Sequence, residues 1–152
     1  MLEELATVPR SNAHSVGADE LSRVQEAQVA YYEGQLAAHR GNFREALRLA
    51  HRNAELVARQ HNPRGMESYH DLMGLIFFLQ GKYAQAVEHY RQADLGDMYN
   101  KYHLALALEG ARQRDEARKL FKEVAESDSN SFGYARVRED AQKRTGWPSA
   151  NR

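Results

Sequence analysis

Twelve residues ahead of each of three alanines, a small residue recurs in one register along this chain. Gly34 precedes Ala46, Gly74 precedes Ala86, and Ala105 precedes Ala117 at that interval. Three residues after each small residue stands an apolar one, Ala37, Phe77 and Leu108. Matching turn segments lead into the alanines: Gly41-Asn42-Phe43-Arg44-Glu45, Gly81-Lys82-Tyr83-Ala84-Gln85 and Arg112-Gln113-Arg114-Asp115-Glu116. Beyond them the register continues as Ala50 and Asn53, Tyr90 and Ala93, Phe121 and Val124. Such a repeat constrains the fold more tightly than local propensity does, because units that cannot bury their apolar faces alone must stack.

The segments between turns are rich in Ala, Leu, Glu, Gln and Arg, which favour helix, and no run alternates with period two. Helices are predicted over 19–40, 43–60, 66–80, 83–94, 98–111, 115–127 and 132–144. Gly41, Gly81 and Gly96 end three of them, and Pro63 breaks the chain between the second and third. Connections of a few residues make neighbouring helices antiparallel. Close approach of two helices needs small residues at the contact, so Gly34 is expected to face Ala46, Gly74 to face Ala86, and Ala105 to face Ala117. Phe77, Tyr90, Leu108 and Phe121 then fill the space between one pair and the next. The expected organisation is a flexible leader at 1–17, a repeat domain at 18–145 and a tail at 146–152 that contains Trp147, the lone tryptophan. Within the domain the repeats fall at about 27–62, 65–96 and 98–128, with a cap at 131–145. On the cap, Tyr134, Val137 and Ala141 form an apolar stripe among charged residues. At the other end the long first helix overhangs its partner, with Leu21, Val24 and Gln28 on the overhang.

Composition removes several function classes. Lys plus Arg equals Asp plus Glu at 21 each, and the chain has no cysteine. A disulfide framework, a thiolate zinc site and a cysteine nucleophile are therefore excluded. Residues 1–30 carry five acids and two bases, and residues 101–152 eight acids and eleven bases. That asymmetry is too mild to point to nucleic acid, which would need a clustered basic stripe. No stretch approaches the roughly 18 apolar residues of a membrane span, so no membrane insertion is expected. The start at 1–6 has neither a basic segment nor an apolar run, so it does not read as a signal peptide, and a cytoplasmic protein is expected. None of the seven histidines forms a His-Glu-x-x-His run; only His70-Asp71 and His103 could converge, if the third and fifth helices lie side by side. No catalytic residue, metal ligand or cofactor is expected.

The register resembles that of the tetratricopeptide repeat over about residues 27–127: a small residue, an apolar residue, a Gly-x-aromatic turn, an alanine, an aromatic and another alanine. The middle unit follows it most closely. The first departs at Asn53, the third has Arg112 and Arg114 in its turn, and the alanines lie 40 and 31 residues apart against a family period of about 34. The resemblance implies an all-α, right-handed α-α superhelix of three antiparallel hairpins with a C-terminal capping helix. It also implies a protein-binding role, with the first helix of each pair lining a concave surface. The faces left free on those helices by packing are Tyr31, Gln35 and Ala38, then Asp71, Leu75 and Phe78, then Tyr99, Tyr102 and Leu106. A peptide or helix of a partner protein is expected in this Tyr- and Leu-rich groove. Two alternatives stay open: a homo-oligomerising scaffold, and a regulatory domain that binds a small ligand or signalling peptide. Family members that grip acidic chaperone tails use Lys, Asn and Arg where this chain has Tyr31, Gln35, Leu72, Tyr99 and His103, so that mode is not expected.

Overall fold

The computed structural model describes residues 10–60, 62 and 64–146, and these form seven helices with no strand among them. They are α1 (Arg10–His39), α2 (Phe43–Ala58), α3 (Met66–Leu79), α4 (Tyr83–Tyr90), α5 (Met98–Gly110), α6 (Arg114–Glu126) and α7 (Phe132–Thr145). The first helix starts at Arg10, ahead of the predicted Asp19, so residues 10–17 of the predicted leader are helical. Residues 1–9 and the tail with Trp147 lie outside the described residues. The fourth helix stops at Tyr90, short of the predicted Asp94, because Gln92 and Ala93 donate three residues back to His89 and Tyr90 and tighten the chain into turns.

Each hairpin turn is built the same way. Asn42 N–H donates to the Ala37 carbonyl, Lys82 to Phe77 and Gln113 to Leu108, at 2.8–2.9 Å. In each turn the preceding residue is left-handed: Gly41 at φ 75°, Gly81 at φ 73° and Arg112 at φ 64°. This bond from the third residue past the helix back into its last turn is the Schellman closure. The third unit keeps it without a glycine, so the backbone repeats where the sequence does not. In the first turn Asn42 also caps α2, its Oδ1 accepting from Glu45 N–H at 3.4 Å.

Successive helices pack in pairs, α1 with α2, α3 with α4, α5 with α6, and α7 closes on α6 and α5. The odd helices also touch one another in sequence, α1 to α3, α3 to α5 and α5 to α7. The even helices α2, α4 and α6 make no comparable backbone approach among the described residues. The array therefore curls with the odd helices on its inner side.

Gly34, Gly74 and Ala105 are all buried, and so are Ala46, Ala86 and Ala117. What stands nearest each of the two glycines is a larger side chain. A Cβ on Gly34 would meet Leu72 of α3 at 2.5 Å and Leu49 of α2 at 3.4 Å, and one on Gly74 would meet the Tyr90 ring at 2.7 Å. They are sockets for a large neighbour. Leu108 and Phe121 fill the core between pairs as expected, with Phe77 packed at its margin.

On the cap, Tyr134, Val137 and Ala141 are buried, while Arg136, Arg138, Glu139 and Lys143 face outward. Ser131 caps the helix, its Oγ accepting from Tyr134 N–H at 3.1 Å, and Gly146 at φ 66° ends it. Ser131→Ala should cost about 1 kcal/mol, read as a lower thermal-unfolding midpoint with unchanged helical content.

Candidate functional site

The inner face divides into two parts. On the α1–α3 side, Tyr31 donates its hydroxyl to Asp71 Oδ2. Gln35 Nε2 donates to the Tyr31 hydroxyl at 2.8 Å and reaches Asp71 Oδ2 at 3.4 Å. One turn of α1 separates Tyr31 from Gln35, so both meet the same carboxylate across the seam. Asp71 is only 5% exposed. Burial raises its pKa to about 6, against the lowering effect of Tyr31 and Gln35 and with a small further push from Asp97. Burial and the adjoining carboxylate also push the Tyr31 hydroxyl far above its ordinary value, so it remains a donor.

Both of these bonds fall on Oδ2. Oδ1 has no donor among the described residues, and Asp71 borders a cavity of about 370 Å³ between α1, the end of α2, the start of α3 and the loop before α5. Polar and apolar groups share its lining about equally, and several of the polar ones are held in place. Asn53 Nδ2 donates to the Ala27 carbonyl at 2.9 Å, and Asn53 Oδ1 accepts from Ser68 at 3.0 Å. Gln60 Nε2 is buried without an acceptor among the described residues. At the rim Arg64 pairs with Glu67 and Asp94, each at 2.9 Å, and Asn100 donates to the Asp94 carbonyl at 3.2 Å. Tyr31 and Tyr32 supply the aromatic wall.

The α5 side is occupied by the chain's own cap. Tyr102, expected as an open anchor, is buried, and its hydroxyl donates to Asp140 Oδ2 of α7 at 2.6 Å. Burial and this carboxylate push the hydroxyl pKa up to about 12. Although burial works the other way, Tyr102 and Arg144 hold Asp140 below the usual carboxylate range. Tyr99 is half-buried, 4.2 Å from the His103 ring, with the Arg136 guanidinium 5.6 Å above it. Its Cβ lies where a side chain on Gly133 would have to go. Leu106 packs at the edge of the same core. Leu75 and Ala38 are buried in the α1–α3 core, and Phe78 meets Tyr83 edge-on at 5.6 Å. Of the residues expected to share one groove, the structure thus joins Tyr31, Gln35 and Asp71, places Tyr99 and Tyr102 against α7, and keeps Leu75 and Ala38 inside.

The possible histidine convergence does not form. His70 turns to His89 of α4, with Nδ1 atoms 3.1 Å apart. His103 donates from Nδ1 to the Tyr99 carbonyl on its own helix at 2.8 Å. Burial lowers the pKa of all three. No helix among the described residues is long and apolar enough to cross a membrane.

The polar floor at Asn53 and Ser68 lay outside the predicted face, although one signal pointed to it. Asn53 stands in the register position that Ala93 and Val124 hold in the other units. A polar residue where the repeat demands an apolar one marks a buried hydrogen-bonding role.

Residues 99–131 match the family model described as Tetratricopeptide repeat. That match falls on the third unit, α5 with α6, and not on the middle unit whose residues follow the pattern most closely. With the paired seven-helix architecture it supports a tetratricopeptide-like family. Neither the curated proteins nor the solved structures give a significant match to the chain.

Proposed function

We propose that this tetratricopeptide-like chain is a protein-interaction module that holds a segment of its partner along α1 and α3, anchored by a basic side chain in the cavity beside Asp71. Repeats of this family are non-catalytic interaction modules. The observation that carries the reading is a buried carboxylate whose hydrogen bonds both fall on Oδ2, in the wall of a cavity lined in part by polar groups. A lysine ammonium or arginine guanidinium donates to carboxylate oxygens and restores the charge that burial disfavours. The Tyr31 and Tyr32 rings suit the same cation. The Tyr- and Leu-rich groove narrows in this reading to its α1–α3 part, since α7 covers Tyr102.

The cavity volume also falls in the range of small-molecule sites, which favours a second reading, a regulatory domain for a free amine. Peptide arrays probed with the native chain and with Asp71→Asn decide between them. Selected peptides should be enriched in Lys or Arg, and the variant should bind them roughly tenfold or more weakly, about 1.4 kcal/mol. Selection without basic residues, or binding unchanged in the variant, would sink the proposal. Thermal stabilisation by butylamine with no peptide selected would favour the second reading.

A further inference from the structure

One position of the second unit breaks the repeat. Three residues past the register alanine, the first and third units have Leu49 and Leu120, whereas the second has His89. Leu49 is buried and Leu120 partly so. An imidazole where the fold asks for an aliphatic side chain marks a position kept for something other than packing.

Its counterpart stands across the seam between α3 and α4. His70 Nδ1 lies 3.1 Å from His89 Nδ1, with the rings inclined at 35° and their centroids 5.2 Å apart. Neighbouring aromatics fix both rings: Phe77 stacks on His89 at 5.4 Å, and Tyr69 meets His70 edge-on at 5.1 Å. Both imidazoles are half-buried, which leaves water a path to the pair.

The separation suits a shared metal ion. A metal bonded at ~2.0–2.1 Å to two nitrogens 3.1 Å apart sees them at roughly 100°, between the square-planar and tetrahedral angles. In the present bond one Nδ1 carries a proton. Moving that proton through water to Nε2 of the same ring, with a small turn of the two rings, aims both lone pairs at one point. This is a change of tautomer, so no net proton is released.

We propose that His70 and His89 form a two-imidazole site for a divalent transition-metal ion of the copper, nickel and zinc class. Imidazole suits these ions, whereas magnesium and calcium take oxygen ligands. No third His, Asp or Glu joins the pair among the described residues, so water fills the remaining positions. A bound ion ties α3 to α4. The two ligands are 19 residues apart on different helices, beyond the reach of any short sequence motif.

The test is calorimetric titration of the full chain, carrying no purification tag, with copper(II) chloride and with zinc chloride. One equivalent of each should bind, copper the more tightly. His70→Gln and His89→Gln should each weaken copper binding roughly tenfold or more. His51→Gln removes an exposed imidazole 6.3 Å from Tyr69 and should leave binding unchanged. Electron paramagnetic resonance of the copper-loaded native chain should show two coordinated nitrogens, a readout that does not depend on how the variants fold. Fewer nitrogens, or copper binding equal in the native chain and both variants, overturns the site. So does an equal loss in His51→Gln, which would mean adventitious capture by surface histidines.

Discussion

Gly74→Ala should lower the unfolding free energy by roughly 2 kcal/mol, about 3 kcal/mol of overpacking set against about 1 kcal/mol gained in helix propensity. An added Cβ would stand 2.7–2.8 Å from the Cδ1, Cε1 and Cγ atoms of Tyr90. That ring is 1% exposed and closed in by the core it shares with Leu104, Leu108 and Phe121, so it cannot swing aside and the helices must separate. Gly110→Ala is the control. Its Cβ would meet Tyr83 at 2.5 Å, but Tyr83 is 36% exposed and can turn outward, so that variant should be close to neutral. Urea titrations should show a lower midpoint for Gly74→Ala at unchanged slope. Equal stability of Gly74→Ala and the native chain would refute the socket account of these glycines.

The second large effect is on pH. The Asp71 carboxyl has an ordinary pKa of 3.8 and titrates at about 6 in the folded chain. Between those values the folded state holds the proton and the unfolded state does not, so stability falls as pH rises. Below 3.8 both states are protonated, and above 6 both are ionised and the loss is complete. The whole change is about 3 kcal/mol at about 1.4 kcal/mol per pKa unit. Asp71→Asn removes this dependence while Tyr31 and Gln35 keep an oxygen to donate to. The stability difference, native minus variant, should therefore drop by roughly 2.4 kcal/mol from pH 4 to pH 7 in denaturant titrations. A flat difference would show that the carboxyl is not buried as described. A cation bound at Oδ1 opposes the same burial cost, so affinity for basic peptides should rise as pH passes through about 6.

The fold was legible because the twelve-residue interval reports positions buried twice over, against the partner helix and against the next pair. Alanine and glycine at those positions leave little alternative to stacking. Helix ends were less legible where turns imitate helix: Gln92 and Ala93 bond three residues back, and their sequence carries the same apolar spacing as one more turn of α4. The inner face was read one helix at a time, and that reading could not see α7 arrive. Tyr102 and Asp140 are 38 residues apart, and nothing local to either marks the bond. Tyr31, Gln35 and Asp71 were selected as groove-lining groups, and the structure brings them together at one carboxylate. That two of them would satisfy one oxygen of the third follows only from the depth at which α1 and α3 meet.

The outer face of α7 bears on how far such an array can extend. It turns Arg136, Arg138, Glu139 and Lys143 to solvent, with the Phe132 ring 83% exposed at the start of the helix. Another helical pair stacking there would have to take these charges out of water, whereas a bare apolar face would invite one more unit.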